Sequence, residues 1–285
     1  MLKLSKPRQV TRFAPSPTGL LHIGHVFSAL TAFHGRGPGG TFHLRIEDID
    51  PIRCKDEYTD AIVEDLEWLG LDWETPIRKQ SDHMADYAVA LNKLYSLQAL
   101  YRCFCSRSEI MTEIKNSGHA PHGPDGPIYP GTCRSLTNIQ RDSLSAEGRN
   151  YAQRIDMQVA IERAGKLEWR DSKNQIFKAE PIRFGDVVLS RKDIETSYHL
   201  AVTVDDQLQG ITLVHRGCDL KPSTDVHRLL QNLLDYRTPI YDHHHLLTDR
   251  DGRRLSKRTN DITIRGLRDQ GYSPDAVISL SGFDP

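Results

Sequence analysis

The sequence predicts an α/β fold: a doubly wound parallel sheet, interrupted between its halves by an insertion and closed by a short helical C-terminus. Three observations carry that expectation. A β-prone stretch, Val10–Phe13, runs through a proline- and glycine-bearing turn into an apolar-periodic segment that begins His22-Ile23-Gly24-His25. A second strand-like run, Thr41–Ile46, ends on carboxylates in Glu47-Asp48-Ile49-Asp50, and Pro51 stops it. Late in the chain, β-prone runs at 196–204 and 211–214 alternate with a helical pattern at 224–234, which reads as βαβ and therefore as parallel pairing.

Composition sets the outer limits. The 285 residues are 38% hydrophobic and 26% charged, an ordinary globular balance that can bury a large core. Net charge is −1, so no global basic signal points to nucleic acid, although a local basic face would serve equally well. The start, MLKLSKPRQV, lacks the apolar stretch of a secretory signal, and no run of about 18 apolar residues suggests a membrane span. Five cysteines without framework spacing suit a reducing compartment, and the expectation is a cytoplasmic enzyme.

In chain order, the first turn is the most informative. Pro15 and Pro17 fix it, Gly19 relaxes it, and Gly24 would let a ligand approach the backbone. A strand, a tight turn and a helix N-terminus together present backbone N–H groups to a phosphate, and His22 and His25, three apart, can face one ligand. A helix is expected at 25–34, ended by GRGPGG, then the strand at 41–46, whose acidic C-terminal edge is where an open α/β sheet keeps ligand contacts. Packing helices without chemistry follow at 55–69 and 83–97.

From residue 99 the character changes. Cys103-Phe104-Cys105 precedes a loop dense in glycine and proline that ends at Cys133, with 27 residues between Cys105 and Cys133. This has the form of a metal knuckle, with three thiolates of the four ligands that zinc takes. Chemistry alone would fill the fourth place with His119 or His122. Cys54 and Cys218 are isolated and read as structural. Strands are expected at 151–155 and 181–189. The 196–204 run ends in Asp205-Asp206, and 211–214 leads into His215-Arg216-Gly217. His243-His244-His245 looks like a metal cluster, but neighbours on a strand point to opposite faces, so a strand with one histidine facing a nucleotide is the better reading. The turn Asp249-Arg250-Asp251-Gly252 delivers Leu255-Ser256-Lys257-Arg258, and the tail from 262 reads as a helix and a half.

His22-Ile23-Gly24-His25 resembles the HIGH signature of class I aminoacyl-tRNA synthetases, and Arg12-Phe13-Ala14-Pro15-Ser16-Pro17-Thr18-Gly19 resembles their glutamate and glutamine branch. Arg253-Arg254-Leu255-Ser256-Lys257 is similar to the second signature, KMSKS, in the right order. The resemblance implies a Rossmann-type core in two halves (1–98 and 192–258), an acceptor-type insertion (99–191) compatible with Phe184-Gly185-Asp186, and C-terminal helices (259–285). It implies that Arg12, Phe13, Ala14, Pro15, Ser16, Glu47, Tyr198 and Arg216 bind L-glutamate, with Glu47 at the α-amino group. His22, Gly24, His25, Ser256 and Lys257 would bind ATP, with His22, His25 and Lys257 as the catalytic residues and Mg²⁺ at the phosphates. The family's usual residue after the pocket tyrosine is glutamine, and here it is His199.

Cys103, Cys105, Tyr129 and Cys133 are similar to the C-x-C…Y-x3-C zinc site of glutamyl-queuosine synthetases, implying one structural zinc per chain. Those enzymes resemble a free-standing catalytic half, and the length suggests the same here. The implied reaction is ATP-dependent activation of glutamate and transfer to the queuosine base of tRNA(Asp), the anticodon arm being bound by a monomer. The alternatives are a truncated or discriminating synthetase that charges a tRNA 3′ end, or an inactive RNA-binding paralogue.

Overall fold

The computed structural model describes residues 8–116, 122–247 and 263–284. Strands Val10–Phe13, Thr41–Ile46 and Glu74–Lys79 form a parallel sheet in that order, with Val10 opposite Thr41 and Phe13 opposite Leu44. Because strand side chains alternate, the two faces differ in kind. Phe42, Leu44 and Ile46 pack in one core with Val26 and Leu30 of helix Ile23–Gly35 and with Ile62 and Leu66 of helix Asp56–Trp68. Ile264 and Leu267 of helix Ile264–Asp269, and Val277 of helix Pro274–Leu280, close the same core, as the tail's helical reading anticipates. Glu74–Lys79 is a strand that pattern does not foretell, since ETPIRK carries no apolar alternation.

A second parallel pair, Leu213–Gly217 with Ile240–His244, is crossed by helix Ser223–Leu234. This is the expected βαβ unit, one element later than the sequence places it. The two sheets meet where Thr212 donates its N–H to the Val10 carbonyl at 2.9 Å and its hydroxyl accepts from the Val10 N–H at 2.9 Å.

The run at 196–204 is not a strand. Residues Tyr198–Leu208 form an α-helix, capped by Ser197, whose hydroxyl accepts from the Leu200 N–H. Valine and threonine disfavour a helix by only a few tenths of a kcal/mol each, whereas each buried aliphatic side chain contributes about 1.5–3 kcal/mol. Leu200, Ala201 and Val204 all sit in the core, and the Thr203 hydroxyl returns its proton to the His199 carbonyl at 2.8 Å. Packing therefore overrides propensity here.

The intervening segment builds an antiparallel sheet in the order Val188–Ser190, Ala152–Ile155, Leu100–Cys103. The expected strand at 181–189 splits, because Pro181 opens a 3₁₀ turn, Pro181–Phe184, and Gly185 then adopts φ +62°. Ile155, Met157 and Leu189 share their core with Leu200, Val226 and Leu229 of the second half. Among the described residues no helix is long and apolar enough to cross a membrane.

The charged face of the first sheet is what joins the halves. Arg12 is in register with His43, and Arg45 with Arg78, so all three arginines face helix Tyr198–Leu208. Asp206 accepts from Arg12 Nε at 3.0 Å and from Arg45 Nη2 at 2.6 Å. Asp205 accepts from Arg78 Nε at 2.7 Å, Gln80 Nε2 at 2.7 Å and the Tyr87 hydroxyl at 3.1 Å. Burial pushes the Asp206 carboxyl up, and Arg12 and Arg45 more than reverse this, holding it below the usual range. Removing one partner of such a buried network strands its charges without water. Asp205→Ala is accordingly expected to cost about 3–5 kcal/mol of unfolding free energy. Urea unfolding checks this, and an unchanged midpoint would refute the role assigned to the network.

Candidate active site

The turn that follows Val10–Phe13 is pinned against the end of the second strand. Glu47 N–H donates to the Pro15 carbonyl at 3.0 Å and Lys55 N–H to the Pro17 carbonyl at 3.0 Å. The effect is to set Glu47, one residue past the strand's end, beside the first turn of helix Ile23–Gly35. That turn is capped by histidines. His22 is the N-cap and its Nδ1 accepts from the Gly24 N–H at 3.0 Å, while His25 Nδ1 accepts from the His22 N–H at 3.1 Å. A neutral imidazole whose Nδ1 accepts carries its proton on Nε2. The rings lie 3.9 Å apart, centroid to centroid. Gly24 has a local reason beyond ligand approach: a Cβ there would stand 2.9 Å from His22 Cε1, and the cap would not close.

These groups line one cavity of about 570 Å³, the size of a small-molecule site. Its walls include Arg12, Phe13, Ala14, Pro15, Ser16, His22, Gly24, His25, Glu47, Tyr198 and Arg216. Every described residue that the sequence suggests for glutamate or ATP is thus in one place. Ser256 and Lys257 lie outside the described residues. Strand Ile240–His244 also borders the cavity, and the histidine run brings two rings to it where one is expected, because His245 follows the strand's end. His244 and His245 line it, whereas His243 turns to the other side of the strand.

The electrostatics are mixed. Burial pushes the Glu47 carboxyl up to about 7, with Arg45 and Arg12 pulling the other way. Burial also raises the Tyr198 hydroxyl. Arg12 is clamped by Asp206 and by the His215 carbonyl, which accepts from Nη1 at 3.1 Å. Arg216 is held at each nitrogen: Nε donates to His243 Nε2 at 3.3 Å, Nη1 to His227 Nδ1 at 3.0 Å, and Nη2 to the Thr224 hydroxyl at 2.6 Å. One N–H on Nη1 and one on Nη2 then remain for a ligand, a fork suited to a carboxylate. Burial and the Arg216 charge keep His227 well below the usual imidazole range, and they bring His243 to about 3. Both rings are therefore neutral acceptors.

Sequence reasoning leaves His227, Thr224, His243 and the Arg45 support without a role. The signal it had was two adjacent aspartates inside an apolar run.

Away from the cavity, three sulfurs and one hydroxyl converge. The Tyr129 hydroxyl is 3.4 Å from Cys103 Sγ and 3.5 Å from Cys105 Sγ, and Cys105 Sγ is 3.4 Å from Cys133 Sγ. Among the described residues these are the only three cysteine, histidine or acidic ligand atoms so clustered. His122 is exposed and stands outside the cluster, and His119 falls outside the described residues. Cys54 is half-buried and Cys218 exposed, both away from it.

The family model for tRNA synthetases class I (E and Q), catalytic domain, matches residues 9–282. A Glutamyl-Q tRNA(Asp) synthetase of Rhodobacter capsulatus is 42% identical, covering 96% of this chain and 100% of that protein. Glutamate–tRNA ligase 1 of Ruegeria pomeroyi is 37% identical over 95% of this chain, which spans 59% of the ligase. The crystal structure of a glutamate–tRNA synthetase from Elizabethkingia anophelis superposes with a TM-score of 0.78 at 26% identity, covering 97% of this chain and 61% of that one. With its signatures matched, its cavity assembled and its fold shared, the chain belongs to the class I tRNA synthetases of the glutamate and glutamine branch.

Proposed function

We propose that the chain activates L-glutamate with ATP and transfers it to the queuosine base of tRNA(Asp). The observation that carries the first half is the cavity itself, which sets Arg12, Arg216 and Glu47 beside the His22–His25 cap. A dicarboxylic amino acid has two anionic ends and one ammonium, and this wall offers two guanidiniums and one carboxylate. Arg216 takes the side-chain carboxylate on its two remaining N–H groups, and Glu47 takes the ammonium. Tyr198 and the 12–16 segment close around the chain of the substrate.

The glutamate α-carboxylate then attacks the α-phosphorus of ATP, forming the adenylate and expelling pyrophosphate. No side-chain nucleophile is needed, because positioning and charge neutralisation supply the rate. His22 and His25 meet the phosphates from the helix N-terminus, where the dipole favours an anion. Ser256 and Lys257, by their signature, meet the leaving pyrophosphate. Mg²⁺ accompanying ATP would neutralise phosphate charge. The RNA nucleophile finally attacks the adenylate carbonyl and releases AMP.

The acceptor is supported by the Rhodobacter capsulatus relative, aligned over its whole length. Charging with the 3′ end is the second reading, favoured by the Ruegeria pomeroyi ligase. Labelled glutamate offered with queuosine-containing tRNA(Asp), the same tRNA without queuosine, and tRNA(Glu) separates them. Label confined to the first and surviving 3′-end oxidation is expected. Label on tRNA(Glu) that oxidation abolishes would establish the second reading, and absence of glutamate-dependent pyrophosphate exchange would leave an inactive paralogue.

The cysteine cluster fits zinc, on a Rossmann-type core carrying a zinc-bearing insertion. Burial and the neighbouring sulfurs hold the Cys105 thiol up to about 11, a state that a divalent cation would reverse. Tetrahedral zinc sets sulfurs roughly 3.8 Å apart, a few tenths more than the Cys105–Cys133 spacing, so only a small spread is required. Cys103, Cys105 and Cys133 would hold it, with Tyr129 the fourth candidate by position. Elemental analysis of protein purified without chelator is expected to give about one zinc per chain, and its absence would refute the site. Tyr129→Phe should release zinc faster to a chromogenic chelator, and an unchanged rate would remove tyrosine from the set.

Glu47 makes the first step sensitive to pH. Its carboxyl sits near 7 in the open cavity, and an ammonium ligand requires the carboxylate. The carboxylate is lost as pH falls through that value. KM for glutamate should therefore be flat above about pH 8 and rise toward tenfold per unit below about pH 6. Glu47→Gln should flatten that profile at a raised KM. A wild-type profile without the acid limb would contradict the assignment.

A further inference from the structure

Behind Arg216 runs a file of hydrogen-bonding groups that leads out of the pocket to the insertion. Arg216 can only donate, so His227 Nδ1, 3.0 Å from Nη1, must accept. His227 is buried and neutral, which puts its proton on Nε2. Nε2 lies 3.2 Å from His199 Nδ1, which therefore accepts in turn and leaves the His199 proton on Nε2. That nitrogen is 3.4 Å from Asp125 Oδ2. Each donor meets an acceptor without conflict from the guanidinium to the carboxylate, and a single choice of tautomers satisfies the whole file.

The outer end is seated on purpose-shaped backbone. Asp125 lies in the short hairpin His122–Gly123/Gly126–Pro127. A Cβ on Gly123 would come within 2.5 Å of the Arg183 carbonyl, and one on Gly185 within 2.4 Å of Ile128 Cγ2. The hairpin therefore packs backbone-close against the Pro181–Phe184 turn, and Phe184 in turn meets the His199 ring edge to face at 6.2 Å. His199 is held on two sides, by Phe184 and by His227, with its side chain only 12% exposed.

We propose that His199, acting through His227 and braced by Asp125, is a positioning residue that aims Arg216 at the substrate's side-chain carboxylate. This rests on the reading of Arg216 as the ligand of that carboxylate. The arginine aims its two remaining N–H groups in one direction only while His227 holds the other N–H of Nη1. A His227 ring that lost its partner could rotate and let Arg216 swing with it. The file also ties amino-acid recognition to the placement of an insertion hairpin.

Pyrophosphate exchange on the full chain tests this. His199→Ala is expected to raise KM for glutamate about tenfold while leaving KM for ATP within about twofold. His199→Asn retains an acceptor where Nδ1 stood and should recover most of the loss. Asp125→Asn should give a smaller rise in the same parameter. In an Arg216→Lys background His199→Ala should add nothing, because residues acting through one another are not additive. An unchanged glutamate KM, or an equal rise in that background, would overturn the proposal. Nitrogen NMR of histidine-labelled protein reads the tautomers without any substrate. Nε2–H on both His199 and His227 supports the file, and Nδ1–H on His227 overturns it. Should the wild-type protein exchange no pyrophosphate with glutamate, the functional reading fails while the tautomers still decide the file.

Discussion

Everything in the cavity depends on two adjacent aspartates. Asp205 and Asp206 sit on one helix of the second half and clamp arginines from all three strands of the first sheet. The interaction is electrostatic and buried, so it is strong only when complete: both aspartates carry at least two donors each, and Arg12 and Arg45 are themselves buried. Apolar packing could hold the halves at some spacing. The clamp holds them at one spacing, because a shift of either sheet would leave a buried charge unpaired. Arg12 is at once a member of the clamp and a wall of the cavity, so the register of the fold and the aim of a binding group are one fact.

Much of this was legible in the sequence, and the reasons are local. The 10–25 stretch declares strand, turn and helix because proline and glycine leave the backbone little choice, and His22 and His25 fall on the same turn by spacing alone. The strand at 41–46 and the helices near 56–68 and 84–96 follow their apolar periods closely. The cysteine spacing predicts a cluster, and three sulfurs with the Tyr129 hydroxyl do converge.

What failed, failed where tertiary contacts outvote local preference. The 196–204 run has the composition of a strand, yet it becomes a helix because that conformation places Leu200, Ala201 and Val204 in the core and both aspartates under the arginines. Glu74–Lys79 is a strand without an apolar signature because it is an edge: its first three residues are exposed, and only Ile77, against the core, and Arg78, on Asp205, turn to the interior. The supports of Arg216 were unreadable for a different reason. Thr224 and His227 lie on a helix and His243 on a strand that follow it by several residues, and nothing in spacing says that their side chains turn back to it.

The division of charge within the cavity gives the arrangement its chemical sense. Two rings against Arg216 could in principle be cations, and a cation beside a guanidinium would repel it and compete for an anionic ligand. Burial removes that option: His227 and His243 are driven neutral and become acceptors, so the positive charge of the pocket stays on the two arginines. Glu47 meets the opposite fate, its carboxyl raised until proton and carboxylate are balanced near neutrality in the open cavity. On the proposed reading, an arriving ammonium would tip that balance by replacing the proton with a fixed positive partner. The same wall is thus close to neutral at Glu47 before substrate and ionised with it, so the cost of exposing a bare buried carboxylate is avoided until a partner is there to meet it.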